Sequence, residues 1–173
     1  MSAVTILCGS ADESGVTHSM CRHASDFLRG QGHRVSFLPL SEMDIGHCRD
    51  CGGCADGNCV LQDDMREIYA SFEACDVLIL AGPVHFSGPS SLIKTAMDRF
   101  QPYWFVPSER PRICAGMLCG GSERPEFGIT EKIFRAFCIT TGMRYAGTLT
   151  IPGTDQGVIG LEEKVEAFLK DII

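Results

Sequence analysis

The sequence predicts a three-layer α/β sandwich, in which helices cover both faces of a five-stranded parallel sheet. Apolar runs of strand length alternate along the chain with segments whose apolar residues recur at helical spacing. The run over residues 77–81 is apolar at every position, which is typical of a strand buried on both faces. The chain has 173 residues, 45% of them hydrophobic, and we expect one domain over residues 1–173.

The first half of the chain is predicted to contain two strands and two helices. Residues 4–8 and 35–38 are short apolar runs and are expected to be the first two strands. The helix between them has an apolar face and is closed by Gly30 and Gly32. After a cysteine-rich segment, the carboxylates at residues 63–64 open the second helix, because negative charge favours the positive end of a helix dipole.

The second half continues the alternation with three strands and three helices. The third strand is expected to end at Gly82, and the next helix begins near Ser90. The remaining elements are a strand over residues 113–118, a helix around 133–138, a strand over 145–151 and a closing helix over 161–172. Right-handed crossovers and a chain of this length fit the flavodoxin-like strand order 2-1-3-4-5, which we expect here, although the order itself is not visible in the sequence.

Charge and hydropathy exclude several kinds of partner. The chain has 15 Lys and Arg residues against 22 Asp and Glu residues, so its net charge of −7 disfavours nucleic acid. No segment approaches the roughly 18 consecutive apolar residues of a membrane span. The first residues lack the basic start and apolar core of a signal peptide, so we expect a cytoplasmic protein. In that compartment ten cysteines indicate metal or redox chemistry rather than disulfides.

Three loops leave the carboxyl ends of strands one, three and four, where ligands of such sheets bind. Residues 8–17 are small or hydroxylated and lead into a helix, which predicts either a phosphate cradle or a plain capped turn. Residues 82–91 combine glycines, prolines and an aromatic pair, and predict a rigid ledge for a flat ring or a simple turn. Adjacent glycines in residues 119–122 allow close backbone approach to a ligand. Together the loops indicate a mononucleotide such as FMN.

The cysteines fall into two groups. Cys48, Cys51, Cys54 and Cys59 have the spacing C-x2-C-x2-C-x4-C, and three cysteines spaced in this way can face one metal centre from a single tight loop. Thiolates suit an iron–sulfur cluster or zinc, and free thiols or a labile, lost cluster are the alternatives. The other six lie in or beside apolar runs and are expected mainly to pack in the core: Cys8, Cys21, Cys75, Cys114, Cys119 and Cys138. Among these, Cys119 borders the proposed flavin site.

Motifs across nearly the whole chain resemble one known family. They are Cys51-Gly52-Gly53-Cys54, Gly57-Asn58-Cys59-Val60, Asp63-Asp64-Met65, Gly82-Pro83-Val84, Leu92-Ile93-Lys94 and Asp98-Arg99. In these motifs the chain resembles the NAD(P)H-dependent FMN reductases of flavodoxin-like fold, and is most similar to their iron–sulfur flavoprotein branch. The resemblance implies non-covalent FMN, NAD(P)H as a transient donor, and a homodimer or homotetramer with flavin near the subunit interface. An aromatic run at residues 103–105 is expected to cover the core, lid the flavin or, preferably, line that interface.

The resemblance also implies which residues hold the cofactor. The phosphate loop maps onto Ser10, Ser14, Gly15, Val16 and Thr17, and the ring loop onto Pro83, Val84, His85, Phe86 and Ser87; Gly120 and Gly121 add the third loop. The chain departs from the family in having Asp12 at an often basic position, Val16 at a common Asn and His85 at a common Tyr. Its cysteine loop has one residue fewer before the last cysteine than the iron–sulfur flavoprotein branch usually has.

The expected function is that of an FMN-dependent oxidoreductase. NAD(P)H would reduce the flavin, which would pass electrons to a small-molecule or protein acceptor, with a four-iron–four-sulfur cluster on Cys48, Cys51, Cys54 and Cys59 as one route. No side chain is assigned as general acid or base, and His85 is only a candidate. One alternative is an electron carrier reduced by ferredoxin. Another is a receiver-like or zinc-stabilised binding module, although strand three lacks the phosphoacceptor Asp of a receiver.

Overall fold

The computed structural model describes residues 1–109 and 111–173. The strands are β1 (Ala3–Cys8), β2 (Arg34–Pro39), β3 (Val77–His85), β4 (Gly88–Pro89), β5 (Ile113–Cys119) and β6 (Arg144–Ile151). The helices are α1 (Val16–Gly30), α2 (Met65–Ala74), α3 (Ser91–Asp98), α4 (Pro102–Phe105), α5 (Gly128–Thr140) and α6 (Leu161–Ile172). Single 3₁₀ turns lie at Leu40–Glu42 and Thr154–Gln156.

The sheet has the order β2-β1-β3-β5-β6, and the pairings along this path are parallel. In chain order of its five long strands this is 2-1-3-4-5, so the predicted topology is confirmed. The register places Cys8 opposite Ala81 and Ala81 opposite Met117. The carboxyl ends of β1, β3 and β5 therefore meet at one edge, and the loops that follow them face the same cleft.

The core consists of one apolar layer on each face of the sheet. Leu78 and Leu80 point to a cluster with α2, α3 and α5, whereas Val77, Ile79 and Ala81 belong to a cluster with α1 and α6. Successive side chains of a strand point to opposite faces, so a strand covered on both sides is apolar at every position. This arrangement explains the continuous apolar run and confirms the three-layer sandwich.

Strand β3 continues beyond the expected end at Gly82, so that predicted boundary was wrong. β5 runs beside it as far as the pairing of Pro83 with Cys119, and β4 folds back as a two-residue antiparallel strand. Phe86 and Ser87 form the connecting turn with φ of 50° and 64°, values at which L side chains cost energy. Tertiary pairing therefore extends the strand past a glycine and a proline that locally favour a stop.

The aromatic run at residues 103–105 is a short helix, α4, whose side chains divide between core and surface. Tyr103 is buried against Phe72 and Phe100, and its hydroxyl donates to the Glu73 carboxylate at 2.9 Å. Trp104 and Phe105 are mostly exposed. The run thus contributes to core packing, and the prediction that it lines a subunit interface stays a prediction. Within the described residues, no helix is long and apolar enough to cross a membrane.

Candidate functional site

A cleft of about 620 Å³ opens at the carboxyl edge of the sheet. Its volume falls in the range of small-ligand and cofactor pockets, about 300–1,000 Å³. The loops after β1, β3 and β5 line it, together with residues after β2 and β6. The edge is also the point where the strand order reverses, since β1 and β3 lead to opposite sides of the sheet. Ligands of open α/β sheets bind at such a switch point.

One end of the cleft is the start of α1. Val16 and Thr17 begin this helix and line the cleft, so unpaired N–H groups and the positive end of the helix dipole lie at its wall. Ser10 is buried beside them, and its hydroxyl donates to the Asp12 carbonyl at 3.2 Å. Backbone and hydroxyl donors at a helix start are the arrangement that binds a phosphate.

Asp12 organises this loop and gives it a negative charge. Its Oδ1 accepts from the Ser14 N–H at 3.0 Å and from the Ser14 hydroxyl at 2.7 Å. These hydrogen bonds, the side-chain one first, lower the pKa of Asp12, so the carboxylate is ionised near neutral pH. Within the described part of the chain, no Lys or Arg lines the cleft. An anion bound here would be held by neutral donors against the carboxylates of Asp12 and Asp155, which both line the cleft.

The floor of the cleft is closely packed because glycine stands at the strand ends. A Cβ on Gly9 would lie 2.3 Å from Ile93 Cγ1 and 2.7 Å from Ser90 Oγ. The Ser90 hydroxyl donates to the Gly9 carbonyl at 2.7 Å and accepts the Ile93 N–H at 3.4 Å. It therefore caps α3 and ties this helix to the end of β1. A Cβ on Gly121 would be 2.5 Å from the Asp155 carboxylate, so the β5 and β6 loops also approach closely.

The opposite wall is the end of β3. Pro83, Val84 and His85 line the cleft, and hairpin pairing with β4 makes this edge rigid. The hairpin tip is anchored to α5 by the Thr130 hydroxyl, which donates to the Ser87 carbonyl at 2.9 Å. Phe86 at the tip is fully exposed. A rigid extended edge with exposed backbone groups can support a flat ring and donate hydrogen bonds to it.

The cleft brings together seven of the twelve residues expected to hold the cofactor: Ser10, Val16, Thr17, Pro83, Val84, His85 and Gly121. The other five lie in the same loops but outside its lining: Ser14, Gly15, Phe86, Ser87 and Gly120. Sequence reasoning missed Ser41, Leu92, Thr154 and Asp155, which also line it. Ser41 and Asp155 follow β2 and β6, so applying the carboxyl-end rule to all five strands would have drawn attention to both.

Cys119 lines the cleft as a buried thiol. Burial, partly offset by a hydrogen bond with Thr17, raises the pKa of Cys119 to about 11, so the side chain is a neutral thiol at neutral pH. The other five cysteines outside the loop are likewise buried, which confirms that they pack in the core: Cys8, Cys21, Cys75, Cys114 and Cys138. Two of them sit against the same face as Cys119.

A second, smaller cavity lies beside the cysteine loop. All four predicted ligands line it, Cys48, Cys51, Cys54 and Cys59, with Arg99 and α4 on the opposite side. Burial first, and then the charges of the other three thiols, raises the pKa of Cys54. Over residues 1–109 and 111–173, however, no three His, Cys, Asp or Glu side chains are arranged to hold a metal ion.

The donor chemistry of this loop is compatible with two kinds of metal group. An iron–sulfur cluster contains its own sulfide and is held by four thiolates, and four thiols line this one cavity. A zinc ion also binds four thiolates, so the lining fits either group.

Arg99 closes this cavity, and sequence reasoning identified it only as part of a motif. Its side chain is 1% exposed. Nη1 donates to the Gly46 carbonyl at 2.7 Å and to Asp63 Oδ2 at 2.5 Å, while Nη2 donates to Asp63 Oδ1 at 3.0 Å and to Cys59 Sγ at 3.5 Å. Burial alone would raise the pKa of Asp63, but the hydrogen bonds and charge of Arg99 lower it overall. The guanidinium thus joins both ends of the cysteine loop.

The fold and the cleft define a class: α/β proteins of flavodoxin-like topology with a nucleotide-sized site at the switch point. Solved structures share this fold. An NADH:FMN oxidoreductase in its apo form superimposes with a TM-score of 0.69 at 15% identity, covering 100% of this chain and 91% of that one. The NAD(P)H:quinone oxidoreductase of Methanothermobacter marburgensis gives 0.68 at 15% identity, covering 98% and 93%.

Sequence comparison identifies the family. The model of the NADPH-dependent FMN reductase family matches residues 2–153. An iron-sulfur flavoprotein of Archaeoglobus fulgidus is 32% identical over 157 residues, 88% of this chain and 71% of that protein. One of Methanocaldococcus jannaschii is 32% identical over 115 residues, 66% of this chain and 60% of that protein. The chain belongs to the NADPH-dependent FMN reductase family of oxidoreductases, in its iron–sulfur flavoprotein branch, which confirms the resemblance.

Proposed function

We propose that the chain binds FMN in the cleft, takes reducing equivalents from NAD(P)H and passes electrons on through a cluster on the cysteine loop. One observation carries the proposal: the N-terminus of α1 and the end of β3 line a single cleft of cofactor size. When bound, FMN accepts a hydride from NAD(P)H and releases electrons singly or in pairs. The protein positions the cofactor and adjusts its electrostatics.

The phosphate of FMN would bind at the start of α1. The donors available there are the Ser10 hydroxyl, the Thr17 side chain and the N–H groups of the first helical turn. These groups favour a dianion through the helix dipole, whereas Asp12 opposes it. The site therefore fits FMN through backbone and hydroxyl donors, as expected for an acidic chain without a base in this loop.

The flavin ring would lie against the end of β3. Val84 and His85 face the cleft, and the backbone of this edge is held by β4 and by Thr130. Backbone N–H groups at a strand end can stabilise negative charge on a reduced ring without reorganising. His85 is close enough to the proposed ring site to be a hydrogen-bond candidate, and no other side chain is given a proton-transfer role.

Helix α3 connects the two proposed redox sites. Ser90 and Ser91 at its start line the cleft, and Arg99, just beyond its end, lines the cysteine cavity. Nine residues at 1.5 Å per residue separate Ser90 from Arg99, a span of about 14 Å. The two proposed sites therefore lie at the two ends of one helix. A cluster on Cys48, Cys51, Cys54 and Cys59 would then be the exit for electrons from the flavin.

Exposed apolar residues beside the cysteine loop support a homodimer or homotetramer. Val60, Trp104, Phe105 and Val106 are each about half or more exposed. Clusters of exposed aromatic residues are enriched at interfaces. Light scattering on the purified protein and on a Trp104→Ser variant measures the oligomeric state. A monomeric wild-type protein at micromolar concentration would overturn this part of the proposal.

Anaerobic purification with added FMN tests the proposed function. We expect a yellow-brown protein with one FMN and about four irons and four sulfides per chain, the last figure following from a four-iron cluster. Cys51→Ser combined with Cys54→Ser should remove the iron and leave the flavin. Cys75→Ala, which alters a buried cysteine outside the loop, is the matched control. A protein that binds no FMN would refute the proposal.

Stopped-flow mixing with NADH or NADPH then tests the donor. The reductase proposal predicts loss of the visible absorbance of the oxidised flavin on mixing. If neither nucleotide bleaches the flavin and reduced ferredoxin does, the protein is an electron carrier. Bleaching by NADH or NADPH supports the reductase whether or not ferredoxin also reduces the flavin, because a flavin accepts both hydride and single electrons.

A further inference from the structure

Arg99 is a buried cation with more contacts than holding a loop requires. Its side chain is almost completely buried, and Asp63 pairs with both terminal nitrogens. This pairing and the Nη1 contact with the Gly46 carbonyl already fix the loop on the α3 end. The remaining contact, from Nη2 to Cys59 Sγ, is needed neither to pair Asp63 nor to attach the loop to the end of α3. Nε is also buried and lacks a hydrogen-bond partner among the described residues, so the donors of Arg99 are not exhausted by the clamp.

The contact with Cys59 places a positively charged donor against the sulfur of a predicted cluster ligand. Cys59 is the last of the four cysteines, and a cysteine that binds iron does so as a thiolate. A donor hydrogen-bonded to a ligating sulfur withdraws electron density from it, and hydrogen bonds to sulfur are among the factors that set cluster potentials. Reduction adds one electron and one negative charge to the cluster. A cationic N–H donor stabilises that more negative form.

We propose that Arg99 is a positioning residue that donates a hydrogen bond to the Cys59 ligand sulfur and raises the reduction potential of the cluster. The role makes the cluster a better acceptor for an electron coming from NAD(P)H-reduced flavin. Asp63 opposes the effect, because its carboxylate neutralises the guanidinium at 2.5–3.0 Å. The inference rests on the proposed function, since it requires the cluster to be present.

Potentiometric titration of the anaerobically prepared holoprotein, followed by electron paramagnetic resonance, tests the proposal. Arg99→Lys keeps the positive charge, but a single ammonium cannot reproduce the forked contact with Asp63 and the Cys59 sulfur. We expect the reduction potential of the cluster to fall by at least 59 mV, which is a tenfold shift of the one-electron equilibrium towards the oxidised form. Asp63→Asn should shift it in the opposite direction, because it leaves the guanidinium unneutralised beside the sulfur.

Tyr103→Phe is the matched control. The Tyr103 hydroxyl donates to the Glu73 carboxylate at 2.9 Å, so this variant loosens α4 beside the cavity but keeps the guanidinium and its contact with Cys59. We expect its potential to equal that of the wild type. Equal potentials in wild type, Arg99→Lys and Asp63→Asn, at unchanged iron content, would overturn the proposal. So would potentials that fall in both variants, or loss of iron from both, since these outcomes show a clamp only.

The outcomes are distinguishable from failure of the proposed function. If the wild-type protein holds no iron after anaerobic preparation, the cluster assignment fails and no potential exists to compare. If the wild type holds iron and reacts with its donor, but the variants keep its potential, only the role of Arg99 is wrong. Opposite shifts of the reduction potential in Arg99→Lys and Asp63→Asn support the proposal, because a purely mechanical role gives no reason for the two variants to move the potential in opposite directions.

Discussion

Replacing Ser90 with alanine tests how the cleft is held together. The Ser90 hydroxyl makes two buried contacts, to the Gly9 carbonyl at 2.7 Å and from the Ile93 N–H at 3.4 Å. Loss of a serine N-cap costs about 1 kcal/mol, and the long contact places this case at about 0.5. A buried carbonyl left without its donor costs about 1–3 kcal/mol. We therefore expect the free energy of unfolding to fall by about 2 kcal/mol.

Urea unfolding of the apoprotein, followed by circular dichroism, measures this loss. For a chain of this length, 2 kcal/mol corresponds to a fall in melting temperature of about 4–8 °C. Ser91→Ala is the matched control, because Ser91 is the next residue of the same helix and is exposed, so its loss should change stability by less than about 0.5 kcal/mol. FMN affinity of Ser90→Ala, measured by flavin fluorescence, should fall as the tie between β1 and α3 is lost. A stability loss no larger than that of Ser91→Ala would refute the reasoning.

Three other changes have distinct outcomes. Asp12→Asn keeps the acceptor for Ser14 but removes a charge, so it should tighten FMN severalfold more than riboflavin in fluorescence titrations; equal tightening would contradict the phosphate assignment. Phe86→Gly relieves a positive φ at an exposed turn, worth about 1–2 kcal/mol, but glycine adds about 0.5–1 kcal/mol of freedom to the unfolded chain. The free energy of unfolding in urea should therefore rise by about 0.5–1 kcal/mol, and a fall would contradict strain in this turn. Burial raises the pKa of Cys75 to about 11 from 9.0, so between these two pH values the thiol is ionised in the unfolded chain but neutral in the folded protein. The difference contributes roughly 2–3 kcal/mol to the free energy of unfolding, which is complete below pH 9 and is lost between pH 9 and 11. Cys75→Ala should flatten that part of the pH dependence relative to wild type, and identical slopes would refute the assignment.

Local patterns in the sequence determine the architecture of this protein. The five apolar runs and the helical spacing between them predict the order of elements, because burial on one or both faces of an element sets its apolar period. The right-handed crossover rule leaves only a few strand orders, and the observed order is one of them. The C-x2-C-x2-C-x4-C spacing likewise brings the four thiols to one cavity, since three short gaps allow little separation.

The structure decides what depends on contacts between distant segments. β3 continues through Gly82 and Pro83 because β5 and β4 pair with it, and no local residue preference predicts such pairing. Asp155 reaches the cleft because the β6 loop lies against Gly121.

The contact between Arg99 and Cys59 shows most clearly what local sequence patterns determine and what only tertiary structure decides. The two residues are 40 positions apart in the chain. The sequence by itself determined that four cysteines form one loop and that Arg99 follows an amphipathic helix. Only tertiary packing decided that the guanidinium is buried against Cys59 and Asp63, because the direction of a long side chain is set by the elements around it. Periodicity specifies which face of an element is buried, but not which polar atoms meet there.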